Sequence, residues 1–170
     1  MVRLICAAGS VLCLLMAAGG CRPLLAADAA EAPAWDQAAN IKDAAERIGK
    51  LHRARGPKAA YDFIDACYKT HSLAEGYGPA FEACIAQDYL ETKVLTQVFA
   101  RLPPDTLAKL GAPTPAALAQ AMGRRIVAAF SQYKKPAAYG EALKKLIDEH
   151  GLAVFIGIVF PSAAPAGEGR

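Results

Sequence analysis

Asp88 and Arg125 are charged residues standing where apolar ones belong. At helical spacing Asp88 falls inside a stripe made by Phe81, Cys84, Ile85, Leu95 and Phe99, with Thr92 beside it. Arg125 falls in the same way among Leu118, Met122 and Ala129. A carboxylate taken out of water must find a partner or lose its charge, so the two are expected to face one interior and to pair. Such a pair has two uses. It can fix the register of two helices as a buried ion pair. It can also form the polar floor of a ligand pocket, with Asp88 as an acid–base group or an anchor and Thr92 next to it.

The remaining chemistry-bearing residues suggest less. His52, His71 and His150 are far apart in sequence and read as surface or cap residues, with no HExxH and no paired spacing for a metal. No haem-attachment, nucleophile-elbow, P-loop or dinucleotide-binding pattern occurs. No metal or other cofactor is therefore expected. Tyr61, Tyr68, Tyr89, Tyr133 and Tyr139 recur near apolar faces and read as core residues with a wet tip rather than a ligand cage. Arg47, Lys50, His52, Arg53, Arg55 and Lys58 form a basic patch opposed by Glu46. It reads as a solvated helix end, or as a surface for anionic lipid.

Five cysteines become two once an export signal is removed. Met1–Val2–Arg3 is a short positive start, and Leu4 to Ala18 is an apolar run that small residues and then Arg22-Pro23 end. That is the pattern of a secretory signal, assigned to residues 1–26 with cleavage anywhere between 20 and 29. Cys6 and Cys13 lie inside it. Cys21 follows Ala18-Gly19-Gly20, small residues that also suit a lipoprotein signal, so it is either cut away or lipidated. The mature protein is accordingly expected in the periplasm or secreted, with a Cys21-anchored lipoprotein as the alternative. No other segment has the roughly 20 apolar residues needed to cross a bilayer.

Cys67 and Cys84 remain, in a compartment that permits disulfides. Pro57 suits the first turn of a helix, Ser72 stands near its end, and Pro79 suits the start of the next. Each cysteine is five residues from the loop between them, about 7.5 Å along its helix, so an antiparallel hairpin brings them to one height. A disulfide between Cys67 and Cys84 is expected.

The elements that position these groups are helices with clear stops. Ile41, Ala44, Ala45, Ile48 and Leu51 mark the first, which Gly56-Pro57 ends. Tyr61, Ile64, Cys67 and Tyr68 mark the second. The stripe from Phe81 to Leu102 marks the third, stopped by Pro103-Pro104. A short turn begins at Asp105 and ends at Gly111, and Thr114-Pro115 caps and opens a fifth helix that Lys134-Lys135-Pro136 closes. A sixth runs from about Pro136 to Gly151, and the wholly apolar run Leu152 to Phe160 is expected to be a buried terminal helix. The fold class is all-α: one compact bundle of about five to seven helices over residues 34–160, containing the disulfide-stapled antiparallel hairpin, with a loose tail at 161–170.

Composition narrows the function classes. The net charge of +3 comes from 19 basic and 16 acidic residues spread along the chain, without the clustered basic face of a nucleic-acid binder. The expected function is that of an exported, non-enzymatic accessory or interaction protein with a protein partner in the envelope, or an anionic membrane surface. A small-ligand or lipid carrier with its pocket near Asp88 and Arg125 is the first alternative, and an enzyme of unrecognised class using Asp88 the second.

Overall fold

A computed structural model describes residues 33–71 and 76–161. The export signal, Cys21, the residues after Pro161 and the loop residues Ser72 to Glu75 lie outside the described part. Six helices, and no strand among the described residues, make up the fold.

Helix α1 (Gln37–His71) is bent where Gly56 leaves helical geometry, with φ 81° and ψ 174°. Only glycine adopts a positive φ of this kind at little cost, and Pro57 restarts the helix at once. Gly56-Pro57 therefore separates two arms, 37–55 and 57–71, with no loop between them. The two helices that the sequence suggests are these two arms, joined without a loop at the Gly56 corner.

Helix α2 (Pro79–Phe99) starts with Pro79 at its first position and runs back against both arms of α1. The expected single apolar stripe is too narrow a description. Every residue from Phe81 to Thr92 is buried, because α1, α4, α5 and α6 all pack against this helix. Its neighbours approach closely at small residues: Ala44, Ala45 and Ala60 of α1 and Ala83 and Ala86 of α2 are all buried. Cys67 and Cys84 are bonded, with Cα atoms 5.7 Å apart, and staple the second arm of α1 to the start of α2 as an antiparallel hairpin.

Beyond α2, Arg101 and Leu102 close a final turn, and Pro103 leads into the short α3 (Pro104–Lys109). Thr114 caps α4 (Pro115–Gln132), its Oγ1 accepting a hydrogen bond from the Ala117 N–H at 3.1 Å. Helix α5 (Ala137–His150) and helix α6 (Leu152–Val159) meet at Gly151. A Cβ there would sit 3.0 Å from Ile41 and 3.2 Å from Leu90, so glycine lets the corner press onto α1 and α2. The core is Ile41, Ile48, Ile64, Phe81, Ile85, Leu90, Leu143, Ile147 and Phe155 with their neighbours. Helix α6 departs from expectation: Phe155 is buried, but Ile156 and Phe160 are exposed, since α6 caps the bundle from outside rather than entering it.

The disulfide closes a loop of sequence separation 17, which corresponds to about 3 kcal/mol of stabilisation. Replacing both cysteines by alanine is expected to lower the thermal midpoint by roughly 10 °C while leaving the helical circular dichroism intact. A midpoint unchanged by the substitution would show that packing alone holds α1 against α2.

Candidate functional site

The enclosed helix α2 carries Glu82, Gln87, Asp88, Glu91 and Thr92 into the interior, where none has exposed surface. The helix twist sends its three carboxylates to different neighbours. What each meets decides what it can do.

Asp88 meets Arg125 of α4. The Arg125 Nε donates to Asp88 Oδ2 at 2.8 Å and Nη2 donates to Oδ1 at 2.5 Å, a two-pronged pair. Tyr68 OH donates to Oδ2 and Thr92 Oγ1 to Oδ1, each at 3.1 Å, and Tyr61 OH bonds Thr92 Oγ1 at 2.9 Å. The structure thus gathers Asp88, Arg125 and Thr92 in one cluster with Tyr61 and Tyr68 of α1. The bond to Asp88 raises the Arg125 pKa further. Burial, then the Asp88 charge, push the Tyr68 phenol well up, and burial lifts Tyr61 to about 12. Both phenols are held as donors or neutral partners, not as anions. Arg125 keeps 37% of its side chain exposed. It borders an open hollow of about 260 Å³, lined also by Tyr61, Asp62, Ile64, Asp65 and Tyr68.

Glu91 meets His52. Its two oxygens lie 2.8 and 2.9 Å from His52 Nδ1, and the imidazole stands edge-on to Phe155 with centroids 6.0 Å apart. Burial raises the Glu91 pKa, with the His52 charge pulling the other way. Here the surface reading of His52 fails. The residue follows Ile48 by one turn, on the apolar face of α1, so the pattern contained the signal. The other two histidines stand at helix ends: His71 closes α1, its carbonyl accepting from Tyr133 OH at 3.3 Å, and His150 closes α5.

Glu82 is held by neutral donors. Trp35 Nε1 and Asn40 Nδ2 donate to Oε1 at 2.9 and 3.1 Å, while the Gln37 amide and Tyr139 OH (3.3 Å) donate to Oε2. Its place near the start of α2 adds the favourable field of the helix N-terminus. No sequence motif signals this cluster, because three of its four donors lie at or before the first turns of α1. A further set links Lys93 to Asp148 at 2.6 Å and to Tyr89 OH at 3.2 Å. Gln87 has no hydrogen-bond partner for either end of its amide.

The aromatic side chains pack on one another. The Tyr77 ring lies within 6.4 Å, centroid to centroid, of Trp35, Phe81, Phe130, Tyr133 and Tyr139. Lys135 Nζ caps this cluster, 4.8 Å from the Tyr77 and Tyr139 rings. Among the described residues no three His, Cys, Asp or Glu side chains group as a metal site. The basic patch lies exposed on α1, but it is partly answered: Lys50 pairs with Glu46 at 2.7 Å and Lys58 with Asp62 at 2.8 Å. Arg47, Arg53 and Arg55 have no such partner among the described residues.

The oxygens of Glu82 and Asp88 therefore accept hydrogen bonds from the protein itself, and both oxygens of Glu91 share the one ring nitrogen of His52. A role for Asp88 as base or nucleophile would require it first to shed Arg125. No family model, curated protein or solved structure matches the chain.

Breaking one side of the central pair leaves a charge stranded in the interior. Arg125→Met is expected to cost about 2 to 4 kcal/mol, moderated by the partial exposure of the guanidinium. The double variant Asp88→Asn, Arg125→Met should be more stable than Arg125→Met alone. A denaturant series in which Arg125→Met changes nothing would remove the pair from the account of the fold.

Proposed function

We propose that this is an exported periplasmic accessory protein that works by presenting a helical surface to a partner in the cell envelope, not by carrying out a reaction. One observation carries the reading. The groups with the richest chemistry, Glu82, Asp88 and Glu91, are fully buried and satisfied within the protein. They act as internal ties between helices. The Cys67–Cys84 bond suits an oxidising compartment, and no described helix is long and apolar enough to cross a membrane.

What the molecule offers outward is apolar side chains in place of reactive ones. Leu110, Val127 and Phe160 are 68%, 65% and 51% exposed, and Ile156 is 38% exposed. Ile156 and Phe160 line one groove, and large apolar side chains that adjoin one another in water mark interaction surfaces.

The carrier reading has one observation in its favour, the hollow beside Arg125. At about 260 Å³ it is open to solvent, and Asp62 and Asp65 on its rim are already paired with Lys58 and Lys69. That is a shallow, charged setting for a lipid, and smaller than most ligand sites.

Photo-reactive residues placed singly at Leu110, Val127, Ile156 and Phe160 test the surface reading in living cells. The expected outcome is a discrete crosslinked product from at least one of these positions, and none from Lys145 on the exposed polar face of α5. Monomer alone at all four positions would contradict the reading.

A further inference from the structure

Helix α6 has no polar side chain. Its sequence is Leu152-Ala153-Val154-Phe155-Ile156-Gly157-Ile158-Val159, with Phe160 next. A helix apolar on every side is normally enclosed, yet only one face of this one is. Phe155 is buried against His52, and Ile158 packs 3.3 Å from where a Cβ on Gly49 would stand. The opposite face, Ala153, Ile156 and Gly157 continued by Phe160, looks into solvent. Beside it runs a groove of about 240 Å³, formed with the end of α2 and lined by Val94, Gln97, Val98, Arg101, Ile156 and Phe160.

Both borders of this face are cationic. On the α2 side stands Arg101, exposed and without an acidic partner among the described residues. On the α1 side Arg53 lies one helical turn beyond Gly49, on the same side of that helix, and is likewise exposed and unpaired among the described residues. The nearest acid on that stretch, Glu46, is engaged by Lys50.

We propose that the exposed face of α6 is a docking surface for an anionic lipid bilayer, deepening the surface reading above, on which it rests. The helix, about 12 Å long, lies along the membrane plane. Ile156 and Phe160 enter the boundary between headgroups and acyl chains, while Arg53 and Arg101 meet lipid phosphates on either side. Charge selects this occupant over a second copy of the chain. The groove beside α6 has no acidic side chain in its lining for a second copy to set against these arginines, whereas an anionic headgroup layer answers them both.

The test is co-sedimentation of the mature protein with vesicles of phosphatidylethanolamine and phosphatidylglycerol, against vesicles of phosphatidylcholine alone. Binding is expected to be roughly tenfold or more stronger to the anionic vesicles and to weaken with salt. The double variant Ile156→Ser, Phe160→Ser should lose binding to both. The double variant Arg53→Gln, Arg101→Gln should lose the preference for anionic lipid and most of the salt dependence. All four positions are exposed, so unchanged thermal midpoints serve as the check on folding. All comparisons are made in a Cys21→Ser background, which removes any acyl anchor that would hold the protein on both vesicle types.

Equal binding to the two vesicle types, or binding undiminished in the Ile156/Phe160 variant, would overturn the proposal. So would a concentration-dependent dimer that Phe160→Ser abolishes in a protein that ignores vesicles, which would assign the face to a second copy. Crosslinks at Leu110 or Val127 would survive any of these results, so the two readings fail separately.

Discussion

A helix enclosed on all sides cannot carry carboxylates unless its neighbours supply their partners. Helix α2 buries Glu82, Asp88 and Glu91 at different points around its circumference. Each charge dictates what stands opposite: Trp35, Gln37, Asn40 and Tyr139 for Glu82, Arg125 with Tyr68 and Thr92 for Asp88, His52 for Glu91. An apolar α2 would leave side-chain packing and the disulfide alone to set the register of α1, α4 and α5. With these groups in place, a shift of one turn strands a buried charge, a penalty of several kcal/mol on a fold whose whole stability is on the order of 10 kcal/mol. These ties add to packing and the disulfide in fixing register.

The covalent and polar constraints act in succession along the same hairpin. Cys67–Cys84 pins the second arm of α1 near the start of α2. Tyr68 and Tyr61 follow along that arm and reach Asp88 and Thr92, and beyond the Gly56 corner His52 reaches Glu91. Disulfide, tyrosine pair and histidine thus fasten α1 to α2 in order, before α4 seals the cluster with Arg125 and α6 covers His52 with Phe155. These buried groups hold the helices together, and the role proposed for the protein accordingly rests on its outer surface.

Some of this is legible in the sequence, for reasons that differ by residue. Proline and glycine act locally, so Pro79, Thr114-Pro115 and Gly111 mark helix boundaries where the structure has them. The disulfide is legible because two cysteines equidistant from one loop leave little choice. Asp88 and Arg125 stand out because a charge on an apolar stripe is a local anomaly, and in the structure they meet. His52 shares that anomaly but is masked by its place within a run of basic residues. Glu82 is illegible for a different reason: Trp35 and Gln37 belong to the chain entry before α1 is established, and only the tertiary fold brings them to α2. Apolar content alone suggests that α6 is buried, because composition cannot tell the core of a bundle from an uncovered outer face.

The central claim is that α2 is the structural axis of the molecule, with its carboxylates internal ties. Native-state amide hydrogen exchange resolved along the chain tests this most directly. The amides of residues 84–92 should exchange last, at the rate set by global unfolding, and should keep that rank while α3, α6 and the end of α4 open by local fluctuation. Exchange in 84–92 that runs ahead of the first arm of α1 would contradict it, showing that the helix opens on its own and that its buried acids are reachable from solvent.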